Sequence, residues 1–339
     1  MTVVATRRLS VGKEAGLRAV STRQGIIAAL ALDQRGSLAA LMQRASGRLP
    51  TSAEIEAFKA AVTARLSPLA SAVLLDLEYG QAAMEKRAPN AGLILAYERD
   101  TYGDRTSERM PELLPGLSAR RLKEAGAAGV KALLHYAPSA PAALNSSKRA
   151  WVEKVGAECE AEDLLFFLEV LGYDPLIARD EPDYARRRPE IVVSNIAEFA
   201  RECYKVDVLK IEFPVDLKFV DGTQACRGNP LHSRAEAEAA FRRAAAAARQ
   251  PFIYLSAGVS HEEFLEGLVL AAEAGVAYGG VLCGRATWQD GVPAYAEGGL
   301  GALDRWLMTE GQRRMEALNS ILRRARPWRD AFDPSSQGA

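Results

Sequence analysis

The sequence predicts an α/β fold, a (β/α)8 barrel, on two observations. Short apolar runs of strand character recur about eight times, and each is followed by a longer stretch with helix-forming composition. A doubly wound sheet is the competitor on pattern alone, because strand order is not written in a sequence.

The runs in order are "GIIAALALD" (Gly25 to Asp33), "SAVLLD" (Ser71 to Asp76), "GLILAYE" (Gly92 to Glu98) and "GVKALLHY" (Gly129 to Tyr136), then "LLFFLE" (Leu164 to Glu169), "DVLKIEFP" (Asp207 to Pro214), "PFIYLSAG" (Pro251 to Gly258) and "YGGVLCGR" (Tyr278 to Arg285). Their continuous apolar character suits strands covered on both faces. Between them, "SRAEAEAAFRRAAAAARQ" (Ser233 to Gln250) starts with a capping serine, is rich in alanine and stops before Pro251. "SHEEFLEGLVLAAEAG" (Ser260 to Gly275) pairs Ser260 with Glu263 three residues on and closes with glycine. A single-domain barrel is expected over 25–326, preceded by an N-terminal segment, 1–24, packing on it and followed by a flexible tail, 327–339. The charged, proline-bounded stretch Pro175 to Pro189 exceeds what a barrel needs, and either covers the mouth or hangs in solvent.

At 339 residues with 25% charged residues and a formal net charge of zero, the chain has a large core and no global field for nucleic acid or anionic lipid. The four cysteines, Cys159, Cys203, Cys226 and Cys283, lack paired spacing, which argues against a zinc module or disulfide scaffold. The longest apolar run is too short to span a bilayer, so a cytoplasmic protein is expected, with no membrane and no nucleic-acid partner.

In such a barrel the chemistry sits at the C-terminal ends of the strands. Those ends supply Asp33, Gln34 and Arg35; Asp76 and Glu78; Tyr97 and Glu98; Lys131; Glu169; Lys210 and Glu212; Ser256, Ala257 and Gly258; and Gly284 and Arg285. Asp33, Asp76 and Glu98 read equally well as caps for the following helices, and Glu212 as an ion-pair partner. Lys210 and Lys131 are harder to dismiss, because an ammonium in an inner strand is costly to desolvate. Desolvation and a nearby second cation both favour the neutral amine, which is the nucleophile of a Schiff-base enzyme. The small residues after runs seven and eight leave backbone N–H groups open to an anion, with Arg285 as a bidentate donor.

"ALDQRGSL", "LLDLEYG", "GVKALLHY", "FFLEVLGYD", "VDVLKIEFPV", "PFIYLSAGVS" and "GVLCGRATW", with "WLMTEGQRRMEALNSIL", resemble in order the tagatose 1,6-diphosphate aldolases of the class I, Schiff-base type. The match runs from about Gly25 to Trp328. It implies a TIM barrel that cleaves a ketohexose bisphosphate without metal or other cofactor. By this resemblance Lys210 is the Schiff-base lysine, Glu169 the acid/base carboxylate and Lys131 a further active-site lysine. Asp33 and Gln34 match the polar pair after the first strand, and Ser256 and Arg285 the phosphate-contacting positions. A small-molecule sugar phosphate is then the partner, and barrels of this kind commonly pair as homo-oligomers. The "HY" after the fourth strand replaces a more aromatic pair.

Two other readings share the fold: a sulfofructose 1-phosphate aldolase and a non-catalytic sugar-phosphate sensor. A metal-dependent aldolase would need clustered histidines, and only His135, His232 and His261 exist, well separated. Turnover of a ketohexose bisphosphate should therefore persist undiminished in chelator, and a loss restored by zinc would reverse the assignment of class.

Overall fold

The computed structural model describes residues 9–100 and 108–332. Each apolar run contains a strand: β1 (Ile27–Ala31), β2 (Ala72–Leu75), β3 (Gly92–Ala96), β4 (Gly129–Tyr136), β5 (Leu165–Gly172), β6 (Val208–Ile211), β7 (Phe252–Tyr254) and β8 (Gly280–Cys283). They pair in parallel in chain order, and β1 pairs with β8 to close the barrel. Closure excludes the doubly wound alternative, whose sheet keeps two open edges.

Alternation along the strands divides the core in two. Ile27, Ala29 and Ala31 of β1, with Leu165 and Phe167 of β5 and Val208 of β6, belong to one cluster that fills the barrel. Their neighbours Ala28, Leu30, Phe166, Leu168 and Leu209 join the second layer, beneath the helices. Lys131, Glu169 and Lys210 have the inward parity, two residues beyond Gly129, Phe167 and Val208. Three ionisable side chains thus stand on top of a dry floor.

The connecting helices are those their caps predict. Ser233 and Glu236 form a reciprocal capping box before the helix Arg234–Ala247. The Ser260 side chain accepts the Glu263 N–H before the helix His261–Glu273, and Gly275 beyond it is left-handed at φ +75°. The charged stretch after β5 resolves into two parts. Residues from Pro182 onward are the start of a helix, Pro182–Phe199, in which proline occupies the first turn where its missing N–H costs nothing. Only the preceding loop reaches the mouth.

The floor of the barrel is closed by segments from both ends of the described chain. The first helix, α1 (Val11–Ala19), sets Leu17 into the interior cluster. Its Gly16 packs so closely that a Cβ would come within 2.7 Å of the Ala128 carbonyl. Lys13 donates to both oxygens of Asp207, at 3.0 and 2.9 Å, and Asp207 also accepts the Phe166 N–H. Trp328 is buried against the same cluster, its indole N–H donating to Ser21. Residues 333–339, part of the expected tail, lie outside the described residues.

The Lys13–Asp207 pair is buried on both sides. Lys13→Ala would leave a carboxylate alone in that setting and should cost about 3 to 5 kcal/mol in urea unfolding. A change below about 1 kcal/mol would mean that the pair behaves like an exposed one.

Candidate active site

The inward lysines meet carboxylates on neighbouring strands because the register aligns them. Glu169 pairs with Lys210 across β5 and β6, and Ala96, two residues before Glu98, pairs with Lys131 across β3 and β4. Lys210 Nζ lies 2.8 Å from Glu169 Oε2. The same oxygen lies 3.4 Å from Lys131 Nζ, so one carboxylate bridges two ammonium groups. Lys131 also contacts Asp33 Oδ2 at 2.7 Å and Glu98 Oε1. All five residues are at least nine-tenths buried.

The electrostatics follow from this crowding. Burial alone would lower Lys131, but the charges of Asp33, Glu98 and Glu169 hold it well above the usual lysine range. Burial would raise Asp33, yet Lys131 and Lys210 bring it well below an ordinary carboxylate. Glu169 is likewise pressed upward by burial and held lower by Lys210 and Lys131. Glu98 is the exception: burial outweighs the attraction of Lys131, and its carboxyl is raised. An acid/base carboxyl is expected to sit high, and Glu169 sits low because both lysines face it. Discharging Lys210 would remove the larger of those two attractions.

A cavity of about 220 Å³ opens above this cluster, with Glu169 and Lys210 in its wall. Gln34, Ser256, Ala257, Gly284 and Arg285 line it as the sequence suggests. Gly258 backs it: a Cβ there would meet the Arg285 guanidinium at 2.8 Å, so only glycine lets the arginine lie flat against the loop. Ala257 and Gly258 are both left-handed, at φ +50° and +83°, and the non-glycine residue stores strain of the kind found at ligand loops. Gly284 lets Gln34 approach, since a Cβ would come within 2.9 Å of the Gln34 amide nitrogen. Among the described residues, Asp33 Oδ1 and Gln34 Oε1 are buried without hydrogen-bond partners. Buried acceptors in that state are matched to donors such as ligand hydroxyls.

Arg35 is placed differently. Its guanidinium is held by Glu78 at 2.5 Å and by the Glu98 carbonyl at 2.8 Å, and it does not line the cavity. It fastens the loops after β1, β2 and β3 to one another. Asp76 does similar work, accepting the N–H groups of Glu78 and Tyr79 and the ammonium of Lys59, so it holds the turn after β2 and does not cap the following helix, whose N-cap is Gly80. Glu98, two residues beyond β3, is a rim position that the sequence leaves open between the site and a cap, and it enters the site through Lys131. Two residues enter the site that sequence reasoning did not assign to it. His135 and Arg179 line the cavity from the β4 end and the loop after β5.

A sequence model of the DeoC/LacD family of aldolases matches residues 27–290. Tagatose 1,6-diphosphate aldolase 2 of Streptococcus pyogenes serotype M1 is 45% identical over 306 residues, 90% of this chain and 93% of that protein. Its namesake from Enterococcus faecalis is 45% identical over 315 residues, covering 93% and 94%. Tagatose 1,6-diphosphate aldolase of Listeria monocytogenes serotype 4b is 42% identical over 323 residues, covering 95% of each chain. The fold is shared with fructose-bisphosphate aldolase from Plasmodium falciparum, at a TM-score of 0.65 and 15% identity over 94% of this chain and 97% of that one.

The mouth also sets a pH dependence. Burial, with Arg109 and Arg179 nearby, pushes the His135 imidazole down to about 4. A histidine depressed in the folded state contributes stability above its unfolded pKa and loses it as pH falls toward the folded value. Between pH 6.5 and 4, the protein should lose roughly 3 kcal/mol more than His135→Gln does. Parallel losses, measured by denaturant unfolding at each pH, would show that His135 is not the titrating group.

Proposed function

The chain belongs to the DeoC/LacD family of aldolases, and from that premise we propose that it cleaves a ketohexose 1,6-bisphosphate reversibly through a Schiff base on Lys210. Tagatose 1,6-bisphosphate is the favoured substrate, and dihydroxyacetone phosphate and glyceraldehyde 3-phosphate are the products. The observation that carries this reading is the buried Glu169 oxygen 2.8 Å from Lys210 and 3.4 Å from Lys131.

Lys210 must be neutral to attack a ketone, and Glu169 is the acceptor within hydrogen-bond reach of its proton. Sequence reasoning gives the task of keeping Lys210 neutral to Lys131. Three carboxylates surround Lys131 and offset its charge, which favours Glu169 as the base. The amine adds to C2, and the carbinolamine oxygen leaves as water with the proton returned by Glu169. The positive iminium nitrogen then takes up the electron pair of the breaking C3–C4 bond. Glu169 removes the C4 hydroxyl proton as the aldehyde forms. Protonation of the enamine at C3 and hydrolysis release the ketose half and restore the amine.

Lys131, fixed as a cation, suits an oxygen that gains charge during addition. Asp33 Oδ1 and Gln34 Oε1 are open acceptors for substrate hydroxyls. Ser256, Ala257, Gly258, Gly284 and Arg285 form a small-residue cradle with one bidentate cation, suited to the phosphate of the retained three-carbon piece. Anchoring that phosphate positions the carbonyl over Lys210.

Borohydride added with substrate should trap a covalent adduct on Lys210, seen by peptide mass spectrometry. Lys210→Ala should lose both the adduct and turnover. An adduct on Lys131 would exchange the two roles, and undiminished catalysis with an unmodified chain would sink the mechanism.

A further inference from the structure

A further cavity, of about 880 Å³, opens at the end of the barrel opposite the mouth. One side of it is the entrance to β1 and β2, where Ile26, Ala28 and Ala70 are buried, and the other is the end of the helix Gln312–Ile321 with the chain beyond it. We propose that this cavity binds a small anionic amphiphile: an apolar aromatic body that carries one acidic headgroup and one hydrogen-bond donor. The inference is independent of the Schiff-base reading, since the two cavities share no residue of their walls.

The lining selects the body. Ala28 belongs to the shell beneath the helices, where Leu30, two residues on, fills its own place with a full side chain. A methyl group at Ala28 leaves a hollow instead, and Leu69, Leu322 and two prolines, Pro68 and Pro327, complete its apolar wall. Cavities of roughly 300 to 1,000 Å³ with such walls enclose ligands of drug size. A sugar phosphate, polar along its whole length, would set its hydroxyls against this wall and lose their hydrogen bonds, so the occupant is of another class.

The edge selects the headgroup. Arg23 and Arg323 line the cavity with exposed side chains, and among the described residues neither side chain has an ion-pair or hydrogen-bond partner. No carboxylate among the described residues lines the cavity. In a chain of zero net charge, two unmatched guanidinium groups beside an apolar hollow favour a single anion. Asn319 supplies the remaining feature. Its Nδ2 donates to the Leu69 carbonyl at 2.8 Å, which sets the orientation of the amide, and its Oδ1 is buried without a partner among the described residues. An acceptor in that state matches an N–H or O–H on the ligand body.

Anilinonaphthalene sulfonate combines an aromatic body, one anion and one N–H, and phenylnaphthylamine is the same body without the sulfonate. Fluorescence titration of the full chain should show saturable binding of both, with the sulfonate the tighter. The double variant Arg23→Gln, Arg323→Gln should weaken the sulfonate about 3- to 30-fold and leave the neutral amine unchanged. Arg324→Gln changes an exposed neighbour outside the wall, and Arg285→Gln changes the mouth; dye binding should be the same in both as in the unaltered protein. Absence of saturable binding, equal affinity for the two dyes, or equal losses for both in the double variant would overturn the proposal. So would a loss of the same size in Arg324→Gln, which would reduce the effect to a general surface field, or a loss in Arg285→Gln, which would place the dye in the mouth.

Discussion

Two ammonium groups enclosed in the interior of a barrel set the terms for the rest of this molecule. Neither Lys131 nor Lys210 could remain there without carboxylates, since an unpaired buried charge costs several kcal/mol. Asp33, Glu98 and Glu169 meet that need from three other strands. With two lysines against three acids, the cluster carries more acceptors than cations, and Glu98 is the carboxyl that burial, aided by the charge of Asp33, leaves raised. Proton movement between Lys210 and Glu169 then requires no charge to enter or leave the dry region.

The frame protects this arrangement from relaxing. Closure of the sheet removes the freedom to slip register, and a slip of one residue would turn every inward lysine toward the helices. Below the ionic layer, Phe167, Val208 and Ile253 exclude water, and α1 with Trp328 closes the floor. The loops are tied as well: Arg35 links the ends of β1, β2 and β3, and Trp288 donates to the Ala31 carbonyl at 2.9 Å to fasten the chain after β8 against β1. A site built this way needs little reorganisation when charge develops on a bound carbonyl.

The mouth divides into two regions of different character. On the side of β7 and β8, glycines and a serine let backbone approach a ligand, and one arginine adds charge. On the side of β4 and β5, an arginine anchored by Glu212 and the His135 imidazole form the wall. This asymmetry fits a substrate whose halves part, one staying covalently attached while the other must leave.

The sequence alone made legible the eight strands, the helix caps at Ser233 and Ser260, and the seating of Lys131, Glu169 and Lys210 within or at the ends of their strands. All of these depend on local spacing and on the cost of placing charge in an apolar run, which a linear chain displays. It also indicated Gln34, Ser256, Ala257, Gly284 and Arg285, because strand ends of a barrel share one rim. Ring closure, the withdrawal of Arg35 from the cavity, the attachment of Glu98 to Lys131 and the arrival of Arg179 were decided only in three dimensions. Each depends on which side chains from distant segments meet. Arg179 belongs to a charged loop with no periodicity, and its direction is fixed by Glu212, 33 residues further along the chain and on another strand's end. Contacts of that kind arise from packing, and no local pattern encodes them.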